Sequence, residues 1–364
     1  MPPRPNSQVP TLAPYALAAP PPAGPGRLID LAQNESARPP STAAVAAAAA
    51  AAANANLYSA PDAAPLRAAI AAAEGLPAER LLCGNGSMEL ISLLCQTYLA
   101  PGDEVLLGAY AYLFFRSAAA GVGASVRLVP EAPEAPDLDA LLAAVGPATK
   151  LIFLANPNNP TGTLIPAATI AAFRARLPDR VLLVLDAAYA EFVDDPAYDP
   201  GAALALERDD TVMLRTFSKI HGLAGLRVGW GLFPPPVLDA VGRVKLPNSV
   251  NAAGQAAAAA ALRDREHRER HRRENARTRE GLAVRLQSLG LTCLPSHTNF
   301  LLVFFPDAPA AARTFAHLRD RRILVRPMGG YGLDSALRIT IGNDADMTLV
   351  GEEIARALEL PACS

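Results

Sequence analysis

The sequence predicts an α/β fold with a mostly parallel central sheet, together with a smaller α+β domain. Between about residue 80 and residue 232, short apolar runs alternate with helix-compatible segments. Strands buried on both faces and joined by crossover helices require that alternation. Residues able to hold a ligand cluster where those runs end, which is where open α/β sheets place their ligands. After Pro234–Pro236 the alternation stops and a long proline-free stretch begins.

Taken in order, residues 1–30 are rich in proline and alanine and read as an extended arm ending in the apolar Leu28-Ile29-Asp30-Leu31. A charged start followed by an unbroken apolar core, the mark of a secretory signal, is missing. Ser41-Thr42 caps an alanine run to about Ala55, helical by propensity. Leu57–Asp62 breaks it, and Ala64–Ala73 reads as a second helix. Strands are expected at Arg80–Cys83, Glu104–Gly108, Ser125–Val129, Lys150–Ala155, Val181–Asp186, Thr211–Arg215 and Val228–Leu232. Helices are expected near 87–99, 112–120, 137–145 and 166–176. Ala252 to about Leu289 contains no proline and reads as one long helix. Its arginine- and histidine-rich middle, Arg263–Arg279, interleaves Asp264, Glu266, Glu269 and Glu274 at helical spacings. That pattern describes a self-paired, solvated face rather than a nucleic-acid footprint. Thr298–Phe305 and Leu337–Ile341 are expected strands around a helix near 308–320.

A chain of 364 residues, half of them apolar, can bury a sizeable core. A net charge of −2 and a pI near 6.2 give no general pull toward nucleic acid or anionic membrane. Cys83, Cys95, Cys293 and Cys363 are scattered without metal-like spacing and read as reduced thiols of a cytoplasmic protein. No window is long and apolar enough for a membrane span, and no metal site is expected.

Five clusters carry chemistry. In Arg215–Gly229 a lysine stands beside a hydroxyl, Ser218-Lys219, with Arg227 eight residues on. The chain has only Lys150, Lys219 and Lys245 among many arginines. A lysine in so apolar a setting suggests an amine that must lose its proton, which arginine cannot do. Ser218 and Arg227 suit a phosphate, as hydroxyl donor and guanidinium fork. Gly84-Asn85-Gly86-Ser87-Met88 between strand and helix frees backbone N–H groups toward an anion. Alone it is an ordinary turn with Ser87 as cap. Asn156-Pro157-Asn158-Asn159-Pro160-Thr161-Gly162 fixes an amide in a rigid turn. Asp186, at the tip of an apolar strand and followed by Ala187-Ala188-Tyr189, is costly there unless it meets a positive partner. Arg326 and Arg338, each within a β run, suit an anionic substrate. His221 reads as a packed or exposed loop histidine.

In combination these motifs resemble the fold-type I, pyridoxal-phosphate-dependent aminotransferases of class I/II, and within them the histidinol-phosphate aminotransferase branch. The resemblance runs from about Leu28 to the C-terminus and rests on Asn156–Gly162, Asp186-x-x-Tyr189, Thr216-Phe217-Ser218-Lys219 with Ala224–Arg227, and Leu337–Gly342. It implies an arm and part of the small domain over 1–40, a large cofactor-binding domain over 41–250, and a long interdomain helix with the small domain over 251–364. It further implies that Lys219 attaches to the aldehyde of pyridoxal 5′-phosphate, that Asp186 pairs with the ring nitrogen, and that Tyr189 and Asn159 bond the phenolic oxygen. The cofactor phosphate would rest on Gly86, Ser87, Met88, Thr216, Ser218 and Arg227. Tyr110 would stack on the ring, and Tyr58 would reach the partner subunit's phosphate site in a homodimer. Arg338 would bind the substrate's acidic group with help from Arg326.

Departures from the branch fall on the substrate side. Asn34-Glu35-Ser36-Ala37-Arg38-Pro39-Pro40 puts Arg38 where a pocket tyrosine is usual. Met88 and Ala187 replace residues that are often acidic, and Pro247–Asn251 blurs another pattern. The expected reaction is amino transfer between an amino acid or amine and a 2-oxo acid. Histidinol phosphate, an aromatic amino acid and a specialised-metabolite precursor all stand as donors. A decarboxylase of a phosphorylated amino acid and a ligand-sensing protein that keeps the fold are the alternatives.

Overall fold

The computed structural model describes residues 8–12 and 26–359, so most of the expected arm and Cys363 lie outside it. After β1 (Ile29–Asp30) come α1 (Thr42–Ala52) and α2 (Ala64–Glu74). Ser41 caps α1 as expected, its Oγ accepting from the Ala44 N–H at 3.2 Å. The alternating region then forms β2 (Leu81–Gly84), α3 (Ser87–Tyr98), β3 (Glu104–Gly108), α4 (Leu113–Gly121), β4 (Ser125–Val129) and α5 (Leu138–Ala143). It continues through β5 (Thr149–Ala155), α6 (Ala167–Arg176), β6 (Leu182–Asp186), α7 (Ala202–Glu207), β7 (Thr211–Thr216) and β8 (Gly229–Leu232).

These strands make one seven-stranded sheet in the order β2-β8-β7-β6-β5-β3-β4. Pairs from β4 across to β7 are parallel, because a helix returns the chain between successive strands. β8 runs antiparallel to both β7 and β2, since the chain from β7 to β8 makes a loop and a single 3-10 turn. Every residue of β6 and β7 is buried, which accounts for the continuous apolar run of β6 and the apolar centre of β7. The carboxyl ends of β5, β6 and β7 therefore stand side by side, and each runs into one of the chemical motifs.

A buried charge lies at the amino-terminal end of β7, opposite the strand ends that carry the motifs. Arg174 on α6 has a fully buried side chain; its Nε donates to Asp210 Oδ1 at 2.9 Å, and its Nη2 pairs with Asp210 Oδ2. Asp210 also takes Arg208, and it leads directly into β7. Arg174→Met should lower unfolding free energy by about 3–5 kcal/mol, the cost of removing one partner from a buried pair. Denaturant titration reads this directly, and a loss under about 1 kcal/mol would show the pair to be dispensable.

Beyond β8 the chain forms α8 (Pro235–Val244), α9 (Ala252–Arg263) and α10 (Arg265–Ser288). The single helix expected over Ala252–Leu289 is thus two. Asp264 leaves helical geometry at φ −87°, ψ 70° and caps α10, its Oδ1 accepting from the His267 N–H. A capping carboxylate inside a charged run breaks a helix without proline or glycine. On α10 two arginines pair within the helix as the charge pattern predicts, Arg270 with Glu266 and Arg272 with Glu269, while Arg272 also reaches Asp194 and Arg277 pairs with Asp344, both outside the helix.

The remainder comprises β9 (Thr292–Cys293), β10 (Phe300–Phe304), α11 (Ala308–Asp320), β11 (Ile323–Leu324), β12 (Arg326–Met328), β13 (Leu333–Thr340) and α12 (Asp344–Glu359). Here α8, α12 and the short strands have no counterpart in the sequence expectation. The second sheet runs β12-β13-β10-β9, all antiparallel. β1 pairs in parallel with β11, so residues near the start of the chain join its C-terminal part.

Candidate active site

Three strand ends and one N-terminal segment build the site. Asp186 is the last residue of β6 and is buried; its Oδ1 accepts from the Ala188 N–H at 3.1 Å. Burial pushes its carboxyl up to about 6, while that N–H and Lys219 oppose the shift. Lys219 follows β7, and its Nζ donates to the Asn34 carbonyl at 3.0 Å. Burial, then the charge of Arg338, brings its amine down to about 8, with Glu35 and Asp186 opposing and Arg227 reinforcing. The Lys219 ammonium lies 5.7 Å from the Tyr189 ring centre, and the Tyr189 hydroxyl accepts from Asn34 Nδ2 at 2.9 Å. Burial raises the Tyr189 phenol to about 12, so it stays protonated at neutral pH.

An anion cradle adjoins this group. Gly86 precedes α3 with φ +80°, and a Cβ there would strike the Arg227 guanidinium. A Cβ on Gly229 would likewise collide with the Ser87 amide nitrogen. Two bare backbones thus let β8 and the Arg227 side chain close on the amino end of α3. Arg227 itself holds φ +55°, a left-handed conformation that costs a non-glycine residue energy. Its Nη1 donates to the Ala224 carbonyl at 3.0 Å and to Ser218 Oγ at 3.4 Å. The Thr216 hydroxyl accepts from the Ser218 N–H at 3.1 Å. Met88 lies one residue into α3, its sulfur 3.9 Å from the Tyr112 hydroxyl.

On the other side is a pair of arginines. Arg326 and Arg338 sit directly opposite each other across β12 and β13. Like charges facing across a strand pair are destabilising, so this register favours an anion between or above them. Arg338 is buried; it donates to the Asn159 side-chain oxygen and to the Ala32 carbonyl, while its Nε has no partner. Asn159 is buried in the turn after β5. Tyr110 follows β3; its N–H donates to Glu131 at 2.9 Å, and its carbonyl accepts from Asn158 Nδ2 at 3.1 Å.

Two sequence-predicted residues stand apart. Arg38 pairs with Glu274 on α10, so its guanidinium is held by that helix and is not joined to the Arg326–Arg338 pair. Its neighbour Pro39 packs over Gly222, beside the Lys219 loop. Tyr58 is almost fully exposed, outside this chain's own cluster. His221 is buried against the Phe217 ring, and burial lowers its imidazole to about 3, leaving it neutral.

Sequence reasoning missed Asn34. Buried at φ 54°, it touches Lys219, Tyr189 and Thr340 through its carbonyl, amide and backbone N–H. Asn299 then holds the Asn34 and Glu35 carbonyls. Positive φ in an asparagine leaves no mark in the sequence.

The donor set suits pyridoxal phosphate. The cradle pairs a guanidinium with the uncapped start of α3, matching a phosphate. Asp186 is a buried carboxylate whose position calls for a positive partner, and a protonated ring nitrogen supplies one. The Lys219 amine is neutral in substantial part near pH 8. In cofactor-free protein, uptake of pyridoxal phosphate, followed by its near-visible absorbance, should accelerate from pH 7 to 9 and then level. Only the neutral amine attacks an aldehyde, and its lowered value places the rise there; acceleration continuing to pH 10.5 would show an unperturbed lysine.

Comparison with known proteins gives the same picture. The family described as aminotransferase class I and II matches residues 27–354. Histidinol-phosphate aminotransferase of Granulibacter bethesdensis is 44% identical over 352 residues, 97% of this chain and 95% of that protein. The Rhodospirillum centenum enzyme of the same name is 45% identical over 359 residues, 98% of each chain. Among solved structures, histidinol-phosphate aminotransferase from Sinorhizobium meliloti in complex with pyridoxal-5′-phosphate superposes with a TM-score of 0.87 at 31% identity, covering 91% of this chain and 90% of that one. Aspartate aminotransferase from Thermus thermophilus with maleate, at 23% identity, shares the fold with a TM-score of 0.80 and covers 91% of this chain and 92% of that one.

Proposed function

The chain belongs to the class I and II aminotransferases and is a pyridoxal-phosphate-dependent enzyme, and we propose that its amino donor is histidinol phosphate and its acceptor a 2-oxo acid. Family membership favours transfer over the decarboxylase alternative. The joined Lys219, Asp186 and Tyr189 set favours catalysis over ligand sensing. The observation that carries the reading is Lys219, a buried amine brought down to about 8 beside a buried carboxylate.

Bound, the cofactor supplies an electron sink for the pair left when a substrate Cα–H bond breaks. We assign the chain's residues as follows. Lys219 would hold the cofactor by its amine, and the same Nζ, once free, would be the base placed to accept the Cα proton. Asp186 would pair with the ring nitrogen and favour its protonated form. Tyr189 and Asn159 would bond the phenolic oxygen. Gly86, Ser87, Met88, Thr216, Ser218 and Arg227 would hold the phosphate, with Tyr110 beside the ring. Arg338, with Arg326 opposite, orients the substrate by its anionic group. We leave Arg38 outside that group because Glu274 holds it.

A homodimer with shared sites belongs to the same proposal, with Tyr58 reaching into the partner. Leu57, Tyr58 and Leu246 are strongly exposed, and Asn248 ties their two segments together through the Ser59 carbonyl. An apolar surface of this kind favours burial against a second copy. A cytoplasmic setting and the division near residues 40 and 250 are also proposed. Among the described residues no helix is long and apolar enough to cross a membrane.

The test is a half-reaction. Histidinol phosphate added to the holoenzyme should convert the near-visible band, at lower concentration than phenylalanine does. A band untouched by histidinol phosphate would remove it as donor. Arg338→Gln should raise KM for donor and acceptor by about 10–100-fold, the loss of a charge-assisted contact worth ~1.5–3 kcal/mol, with cofactor binding little changed. Equal loss of cofactor would mark Arg338 as structural.

A further inference from the structure

The carboxylate of Glu131 sits against the backbone of Tyr110, just past the end of β3, and has no role in the reading above. It lies between β4 and α5, in a stretch pinched by the Ala132–Ala135 bridge and ended by Asp137, the cap of α5. Gly108, the last residue of β3, makes room for it: the three atoms nearest to a Cβ there all belong to the Glu131 carboxylate. Glu131 is half-buried, and its carboxylate takes the backbone N–H groups of Tyr110 and Asp137. Burial raises its carboxyl, those two N–H groups oppose the shift, and the Asp137 carboxylate adds to it. Partly desolvating a carboxylate for peptide donors is costly. What it secures in return is the backbone of Tyr110.

The two peptide planes on either side of Tyr110 have all of their polar groups engaged. In the first plane the Tyr110 N–H donates to Glu131 Oε1 at 2.9 Å, and the Ala109 carbonyl accepts from Arg116 Nη2. In the second the Tyr110 carbonyl accepts from Asn158 Nδ2 at 3.1 Å, and the Ala111 N–H donates to the Gly108 carbonyl at 3.1 Å. Glu131, Arg116 and Asn158 are side-chain partners brought from three separate segments. Asn158 is itself buried, and its Nδ2 also donates to Thr161 Oγ1 at 3.0 Å. Planes held on both sides fix φ and ψ of Tyr110, so only its side-chain torsions remain. The ring then packs against the buried cluster of Leu294, Leu302, Met328, Leu333 and Ala336. Support of this kind, behind the side chain rather than at its tip, is what a preorganised ligand contact requires.

We propose that Glu131 is a positioning residue: through the Tyr110 N–H, and together with Asn158 on the Tyr110 carbonyl, its carboxylate sets where the Tyr110 ring stands against the bound cofactor. The inference rests on the placing of Tyr110 beside the cofactor ring and adds the residue that holds it there. Glu131 acts on the cofactor only through that backbone bond. Asn158 and Asn159 then divide the work of one turn, the first holding Tyr110 and the second meeting Arg338.

The experiment measures pyridoxal phosphate affinity by absorbance titration of cofactor-free protein, and near-visible circular dichroism and hydrogen exchange on the holoenzyme. The variants are Glu131→Ala, Glu131→Gln, Tyr110→Ala and Glu131→Ala combined with Tyr110→Ala. Glu131→Ala should weaken the cofactor by about 10-fold, reduce its circular dichroism and speed exchange of the Tyr110 amide, as loss of a charge-assisted bond to that N–H predicts. Glu131→Gln keeps an acceptor and should recover affinity to within about 3-fold of wild type. The double variant should bind the cofactor no more weakly than Tyr110→Ala, because no ring is left to place. Additive losses would overturn the proposal, as would wild-type affinity in Glu131→Ala beside a weakened Tyr110→Ala. Wild-type affinity and circular dichroism in Tyr110→Ala would instead remove Tyr110 from the cofactor and overturn both readings. Should Glu131→Ala not fold, Gly108→Ala decides, since its Cβ would displace the carboxylate from the Tyr110 N–H. The same loss is expected there, and an unchanged affinity would overturn the proposal.

Discussion

Lys219→Ala is expected to abolish the near-visible band of the bound cofactor and to slow amino transfer by about 10²–10⁴-fold, the contribution of a positioned general base. Two features set the size of the effect. The amine is the group held against the Asn34 carbonyl at the end of β7, and burial brings it down to about 8, so a usable share is neutral at working pH. Lys219→Arg should be as inactive as Lys219→Ala, because a guanidinium keeps its proton and neither attaches to an aldehyde nor receives a proton from Cα. Absorbance spectra and single-turnover rates read both losses. An alanine variant that keeps the band would place the attachment point elsewhere.

Asp186→Asn should separate stability from function. Burial raises the folded-state value to about 6, above the ordinary 3.8. The folded protein therefore binds the proton more tightly than the unfolded chain does. The stability contributed by the protonated form is fully present below the unfolded value and is lost as pH rises through about 6. In cofactor-free protein above pH 6, the asparagine variant should be as stable as wild type or more so, by up to about 1–3 kcal/mol. Yet its transfer rate should fall by roughly 10²–10³-fold, as when a preorganised electrostatic group is removed. Thermal unfolding across pH 5–8 and half-reaction rates together test this. A variant both less stable above pH 6 and fully active would contradict the role of Asp186 on each count.

Much of the site was legible because its parts are local. Asp186 ends an unbroken apolar run, Lys219 follows a strand with the apolar centre Val212-Met213-Leu214, and the Asn156–Gly162 turn announces itself by two prolines and a glycine. Arg326 and Arg338 were legible as charges within β runs, although only the register shows that they face each other. Asn34 and Asn299 act through contacts made across long sequence separations, which periodicity does not encode. The Asp264 break escaped notice because alanine and arginine bias made the whole stretch helical by propensity, and the capping carboxylate looked like one more surface charge. Arg38 was assigned by position in a motif; a glutamate on α10 decided where its side chain went.

The route of residues 29–38 also has a bearing on how the enzyme comes into being. Ile29 and Asp30 pair with Ile323 and Leu324, and the Ala32 carbonyl is held by Arg338, 306 residues away. During synthesis at about 5–20 residues per second, this segment waits roughly 15–60 s for its partners to be made. Until then Asn34 can be held beside Lys219 only through the Tyr189 hydroxyl, because Asn299 and Thr340 belong to the late part of the chain. The large sheet can form on the ribosome, but the reactive amine acquires its surroundings only when first-made and last-made residues meet. A chain stopped short of β13 would keep the cradle and lose the setting that tunes its lysine.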